Sequence, residues 1–101
     1  MDKREAIEIV KAYRQLLKDH FDIKGMYLFG SYAKGTFNEN SDIDVAIVVD
    51  NLRGDFFEVN PLLWKLRRQI DDRIEPVLIE KEHDDSGFLE EIEKYGIEIS
   101  V

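Results

Sequence analysis

No cysteine occurs among the 101 residues, so neither a disulfide framework nor a thiolate metal site can be built, and the simplest compartment is a reducing cytoplasm. Long apolar runs are also missing. The opening MDKREAIEIV lacks the apolar segment and cleavage site of a secretion signal, so a soluble, unprocessed protein without membrane association is expected. Positive charge is scarce: the formal net charge is −8. Proteins dedicated to nucleic-acid backbone gain affinity by neutralising phosphates with Lys and Arg, so no direct nucleic-acid binding is expected. The imbalance is local as well. Residues 80–101 carry eight acids and two lysines, whereas residues 51–73 carry five basic residues against four acids. Solvated faces explain both, and a partner surface is the alternative.

What is present suffices for one domain, residues 1–101, with a single two-layer core and no lid, so any large substrate must lie mostly outside it. Residues 2–20 place Ala6, Ile9, Tyr13, Leu16 and Leu17 on one stripe, which predicts an amphipathic helix with Asp2 as N-cap. Gly25 punctuates, MYLF suits a short buried strand ending at Gly30, and residues 31–33 allow only a brief turn or helix. FNENS is loop chemistry. IDVAIVV is apolar on both faces apart from Asp44, as in a central strand. After a loop around DNLRGD, Asn60 and Pro61 read as the N-cap and first residue of a helix that includes Leu63, Trp64, Leu66, Arg67 and Ile70, and FFEV before it allows an extra turn. RIEPVLIE is a third strand, with Pro76 marking an edge or the strand's beginning. Residues 86–95 form a last helix with Phe88, Leu89 and Ile92 inward, and IEISV closes as a fourth, edge strand. The fold class is therefore α/β: a small mixed sheet of about four strands with helices packed on it.

Topology brings three segments to one corner. A short connection makes the first two strands antiparallel neighbours, which sets Gly30 and Ser31 beside Asp42 and Asp44. A helical crossover makes the second and third parallel, which brings Glu75 to the same end. Asp42 and Asp44 are two residues apart in a strand and share a face. Paired carboxylates open to solvent suit Mg²⁺, which binds through one or two carboxylates and completes its shell with phosphates and water, and Glu75 is the natural third carboxylate. In a two-metal arrangement one ion activates a hydroxyl nucleophile and the other holds the triphosphate. Glycine at position 30 lets the backbone approach phosphate, Ser31 supplies an amide and a hydroxyl at a helix start, and Lys34 adds charge.

Gly30-Ser31, ten residues, then Asp42-Ile43-Asp44 resembles the GS-X10-DXD signature of the DNA polymerase β-like nucleotidyltransferases, and SYAKGTFNENSDID is similar to their minimal nucleotidyltransferase branch. The order of elements, including GIEIS, extends the resemblance over nearly the whole chain. It implies a polymerase β-like palm, with Gly30 and Ser31 on the nucleotide phosphates and Asp42 and Asp44 on Mg²⁺. Glu75, where many relatives have Asp, would be third ligand and base. It also implies AMP transfer from ATP to a hydroxyl, with tyrosine the candidate acceptor, of a small helical HEPN-type protein, as the antitoxin of a toxin–antitoxin pair; homo- and hetero-oligomers are both compatible with it. The alternative is an idle module that neutralises the HEPN partner by contact alone.

Each residue also has a plainer reading. Gly-Ser is commonly a turn and Ser41-Asp42 a cap signal. Asp44 resists this, because a carboxylate in an apolar central strand is costly without a counter-charge. Glu80 is a rival third carboxylate but sits at the far end of its strand. Asp71 and Asp72 read as the solvated end of a helix and its loop, and Trp64 and the tyrosines as core or partner contacts more than a base-stacking platform, Tyr32 beside the phosphate turn being the exception. His20 and His83 show no ligand spacing.

Overall fold

Asp2 caps the first helix: its carboxylate accepts the Glu5 amide at 2.9 Å, which satisfies a donor that has no helical partner. From there Ala6, Val10, Tyr13 and Leu17 recur at helical spacing and are fully buried. The computed structural model describes residues 2–38, 40–50, 52, 56–83 and 87–100. Outside them lie Glu39 of FNENS, Asn51 and residues 53–55 of the DNLRGD loop, Ser86 at the expected start of the last helix, and Val101 of the last strand. The described elements run α1 (Lys3–Leu17), β1 (Gly25–Phe29), α2 (Ser31–Lys34), β2 (Ile43–Val49), α3 (Phe56–Leu66), β3 (Ile74–Glu80), α4 (Phe88–Tyr95) and β4 (Ile97–Glu98), with 3₁₀ turns at Arg67–Gln69 and Lys81–His83. No helix among the described residues is long and apolar enough to cross a membrane.

The strands form one mixed sheet in the order β3-β2-β1-β4. β1 is antiparallel to both β2 and β4, and β2 is parallel to β3. The α/β architecture expected from the element order is thus observed, with β4 at one edge as expected and β3 at the other, which decides the two readings of Pro76 for the edge. Alternation divides the sheet into two faces. On one, Met26, Leu28, Ile43, Val45, Ile47 and Ile74 join the buried residues of α1 and Leu63 and Leu66 of α3 in the main core. On the other, Ala46, Val48 and Ile79 meet Leu89 and Ile92 of α4, with Tyr27 and Phe29 packed alongside. This second cluster is small because α4 has only eight residues.

Pro76 fits its strand for a reason visible in the ladder. Ile43 N–H donates to the Arg73 carbonyl at 2.8 Å, and in a parallel ladder the residues that bond a given neighbour alternate. Residues 73, 75 and 77 therefore bond β2, while the nitrogen of Pro76 faces away from it, where no ladder donor is needed.

Two expectations require correction. The third helix starts at Phe56, so FFEV is the extra turn that the sequence allows, but Asn60 and Pro61 are not its N-cap and first residue: Pro61 lies inside it. Val59 extends the stripe of Leu63 and Leu66 by one turn, and this apolar period outweighs the hydrogen bond that the proline deletes. Phe88 is not inward: it is 38% exposed, against full burial of the β2 core residues, and rests edge-to-face on Phe29 at a centroid distance of 5.8 Å. Trp64 is also half-exposed, with the Arg67 guanidinium 4.8 Å from its ring centre.

One buried polar contact ties the helices of the main core. The Tyr13 hydroxyl donates to the Leu63 carbonyl at 2.8 Å, and burial pushes the pKa of the phenol well up despite the nearby Arg67 charge. Tyr13→Phe removes this bond without changing shape. It is expected to cost about 1 kcal/mol, read as a melting temperature lower by about 4–8 °C; an unchanged melt would show that the bond contributes nothing net.

Candidate active site

The register of the sheet assembles the corner that the sequence predicts. Asp44 lies opposite Phe29 of β1 on one side and opposite Glu75 of β3 on the other. Ladder partners share a face, so Phe29, Asp44 and Glu75 stand in a row on the α4 side of the sheet. Gly30 and Ser31 follow Phe29 directly, and Asp42 precedes β2 by one residue. Asp42 is exposed, while Asp44 and Glu75 are half-buried.

Gly30 has φ +71° and ψ −145°, a conformation that essentially only glycine adopts without strain. A Cβ there would fall 2.2 Å from Asp44 Oδ2 and 3.0 Å from its Cγ. The missing side chain is therefore the space in which the carboxylate lies against the turn. After it comes the single turn of α2, in which Lys34 N–H bonds the Gly30 carbonyl and Thr36 N–H the Ser31 carbonyl. Gly35 ends this helix at φ +79°. Tyr32 is fully buried and stacks on Phe37 at 4.6 Å, which anchors the turn to the loop that follows. That loop closes on itself: Asn38 N–H donates to Ser41 Oγ at 2.8 Å, and Asn40 N–H to Asn38 Oδ1 at 2.8 Å. The FNENS segment thereby returns the chain to Asp42. Lys34 is exposed on α2.

The electrostatics follow from the crowding. Burial, then the neighbouring Asp42 charge, raises the pKa of Asp44, against a hydrogen bond with Glu75 that lowers it. Burial likewise raises that of Glu75, and so do the charges of Asp42 and Asp44 and its hydrogen-bonding contacts with both. Like charges at close range disfavour ionisation, and a cation placed among them restores it. The contacts run pairwise through Glu75. Among the described residues, no three acidic, imidazole or thiolate side chains surround a common point as a finished metal site. Donor chemistry fits a hard divalent ion all the same, since the set is all oxygen and has a surplus of negative charge.

Sequence reasoning missed the support of Glu75. Asp71 is no solvated helix end: its side chain is 16% exposed, and it grips Arg73 through Nε at 2.9 Å and Nη2 at 2.6 Å while accepting the Arg73 amide at 2.9 Å. Hydrogen bonding from Arg73 holds the Asp71 carboxyl below the ordinary carboxylate range. Arg67 Nη1 donates to the carbonyls of Asp72 and Ile74. Together these fix the approach to β3 two residues before Glu75. The only signal in the sequence was the D-x-R spacing, which also occurs in ordinary surface loops. Glu80, the rival carboxylate, is opposite Val49 at the other end of the strand and accepts the Leu52 amide at 3.3 Å.

A strand-turn-helix bearing Gly-Ser, beside two aspartates at the head of a neighbouring strand, one just before it and one within it, and a parallel strand with a third acid, defines a nucleotidyltransferase palm. Residues 11–100 match the family described as Polymerase beta, Nucleotidyltransferase, so the chain belongs to that family and is a nucleotidyltransferase of its minimal branch. It is 34% identical over 101 residues to the "Putative protein adenylyltransferase MJ0141" of Methanocaldococcus jannaschii, covering 94% of this chain and 99% of that one. A second protein of that organism, "Putative protein adenylyltransferase MJ1379", is 44% identical over 46 residues, which is 46% of either chain. The fold is similar to that of a crystal structure of a "putative nucleotidyltransferase" from Sulfolobus solfataricus, with TM-score 0.67, 19% identity, and coverage of 83% of this chain and 75% of that one.

Proposed function

We propose that this chain, as one nucleotidyltransferase domain over residues 1–101, transfers AMP from ATP to a hydroxyl of a partner protein. The partner is a small helical protein of the HEPN type, the acceptor a tyrosine, and the chain its antitoxin, working in the cytoplasm where ATP is available. The observation that carries the reading is the Phe29–Asp44–Glu75 register, which sets the Gly30-Ser31 turn against the carboxylates. The names of the M. jannaschii relatives support protein adenylyl transfer in particular.

Asp42, Asp44 and Glu75 would hold Mg²⁺, two ions in the full arrangement, with phosphate oxygens and water completing the shells. Bound there, Mg²⁺ supplies charge neutralisation at the phosphates and a more acidic acceptor hydroxyl. The Gly30 and Ser31 amides, the Ser31 hydroxyl and Lys34 bind the β and γ phosphates, using donors that a first helical turn leaves without acceptors. Glu75, the third carboxylate of the row, accepts the hydroxyl proton. The acceptor oxygen then bonds to the α-phosphorus, the bond from that phosphorus to the bridging oxygen breaks, and pyrophosphate leaves with the electron pair, held by the turn. Most of the rate gain comes from positioning and charge stabilisation, which a site this small can provide.

Incubation with MgATP and the partner is expected to add one or more AMP units to the partner, seen by mass spectrometry and lost on chelation of Mg²⁺. A second reading, the idle binding module, is favoured by the outer stripe of α3, where Phe57 is 85% and Trp64 38% exposed, an apolar surface of the kind that partners cover. No mass shift with any nucleotide, together with unimpaired inhibition of the partner by Asp42→Asn/Asp44→Asn, would decide for the module.

A further inference from the structure

Beside the phosphate turn is a pocket of about 270 Å³ that none of the three carboxylates lines. Phe29 contributes to it from β1, Gly30 and Lys34 border it from the turn and α2, and α4 supplies Phe88, Glu91 and Tyr95. Those three α4 residues recur at steps of three and four, so they form one helical face turned toward the pocket. We propose that this pocket takes the base of the nucleoside triphosphate, and that α4 sets the base preference. The inference rests on the nucleotide-transfer reading above and adds to it the site of base recognition.

Continuity is the first argument. Gly30 and Lys34 belong both to the phosphate turn and to the pocket wall, and Phe29 is the register partner of Asp44. A ligand with its β and γ phosphates on the turn and its α-phosphate at the carboxylates reaches the pocket past Phe29, the one residue that adjoins both the carboxylate row and the pocket. Ring chemistry is the second. Phe29 and Phe88 meet edge-to-face, yet Phe88 stays 38% and Tyr95 62% exposed. Both rings keep exposed area on one helix face, Phe88 braced on Phe29 and Tyr95 with the Lys94 ammonium 5.4 Å from its ring centre, and such a face suits a flat aromatic ligand, since stacking on aromatic side chains is how proteins hold bases. Size is the third. The volume, about 270 Å³, falls just below the usual range for whole small-molecule ligands, enough for one base and too little for a folded peptide segment. Polarity is the fourth: the Glu91 carboxylate is an acceptor without a proton to give, which favours bases with an exocyclic amino group and disfavours uracil. Lys34 is a donor on the opposite wall, nearer the phosphates.

The test compares two probes, MgATP and magnesium tripolyphosphate, which has the phosphates and no base. Wild-type protein is expected to bind both, ATP more tightly. Tyr95→Ala and Phe88→Ala are each expected to weaken ATP binding about five- to thirtyfold and leave tripolyphosphate binding unchanged. Tyr95 is mostly exposed, so its variant should melt at the wild-type temperature and keep the comparison clean. Glu91→Gln, which gains an amide donor, should narrow the preference for ATP over UTP about fivefold or more. Unchanged ATP affinity in both aromatic variants overturns the pocket assignment, as does an equal loss for the two probes, which would make the pocket a phosphate subsite. Wild-type protein that binds tripolyphosphate as tightly as ATP overturns the base pocket alone. Wild-type protein that binds neither probe overturns the transfer reading, and the base pocket with it.

Discussion

Asp44→Asn is expected to abolish nucleotide transfer, by about 10³-fold or more, while the metal-free protein melts at a higher temperature than the wild type at pH 7. Both effects come from one group. Asp44 and Glu75 have carboxyls raised above the ordinary range, first by burial and then by neighbouring acids. Such groups bind protons more tightly in the folded chain than in the unfolded one. Their contribution to stability is fully present below the unfolded carboxylate pKa and is lost as pH rises through the raised folded values. At neutral pH the metal-free fold therefore contains ionised carboxylates that it disfavours, and an amide of the same shape relieves them. Added Mg²⁺ should raise the wild-type melting temperature more at pH 7 than at pH 5, and raise that of Asp44→Asn much less at either. Thermal melts at both pH values, with and without Mg²⁺, check this alongside the transfer assay. A variant that transfers at the wild-type rate, or melts well below the wild type, would remove Asp44 from the role assigned to it.

Gly30→Ala should be the most damaging single methyl in the protein. The backbone at φ +71° disfavours any side chain, at about 1–3 kcal/mol, and the added Cβ falls 2.2 Å from Asp44 Oδ2. Either the turn or the carboxylate must move, and in this site each is bound to the other's task. Transfer is expected to fall about 10²-fold or more, because a misplacement of about 1 Å has that cost, with a clear drop in melting temperature. Gly35→Ala is the control. Its φ of +79° brings comparable backbone strain, but nothing lies within 4 Å of the new Cβ. It should lose stability and keep most of its activity per folded molecule. Equal activity losses in the two variants would show that general strain, not the contact with Asp44, sets the effect.

Much of this arrangement was legible beforehand because it depends on local rules. The Asp2 cap and the α1 stripe are decided within four residues. The alternation of IDVAIVV fixes which side chains share a face, and a short link or a helical crossover fixes strand direction. Those steps suffice to bring Gly30, Asp44 and Glu75 to one end of the sheet. What was not legible depends on contacts distant in sequence or on competition between local signals. Asn60-Pro61 is a sound helix start, yet Val59 continues the stripe of Leu63 and Leu66 and moves the start to Phe56. Phe88 looked like a core residue, and its half-exposure is explained only by where α4 rests on Phe29, nearly sixty positions away. For the same reason the pocket between α2 and α4 leaves no motif. Asp71 and Arg73 are neighbours in the chain, but only the backbone turn shows that they grip each other.

That grip has a consequence for the phase of the third strand. Side chains alternate with a period of two, so a slip of one residue between Arg73 and Ile43 would turn Glu75 into the apolar main core and set Ile74 in the acidic row. The Asp71–Arg73 pair and the Arg67 bonds act before the strand begins and hold it in the phase that keeps the third acid outside. A one-residue insertion between Arg67 and Glu75 would leave every residue type of the site in the chain and scatter the row they form. Chemistry at this corner thus depends on counting residues as much as on choosing them.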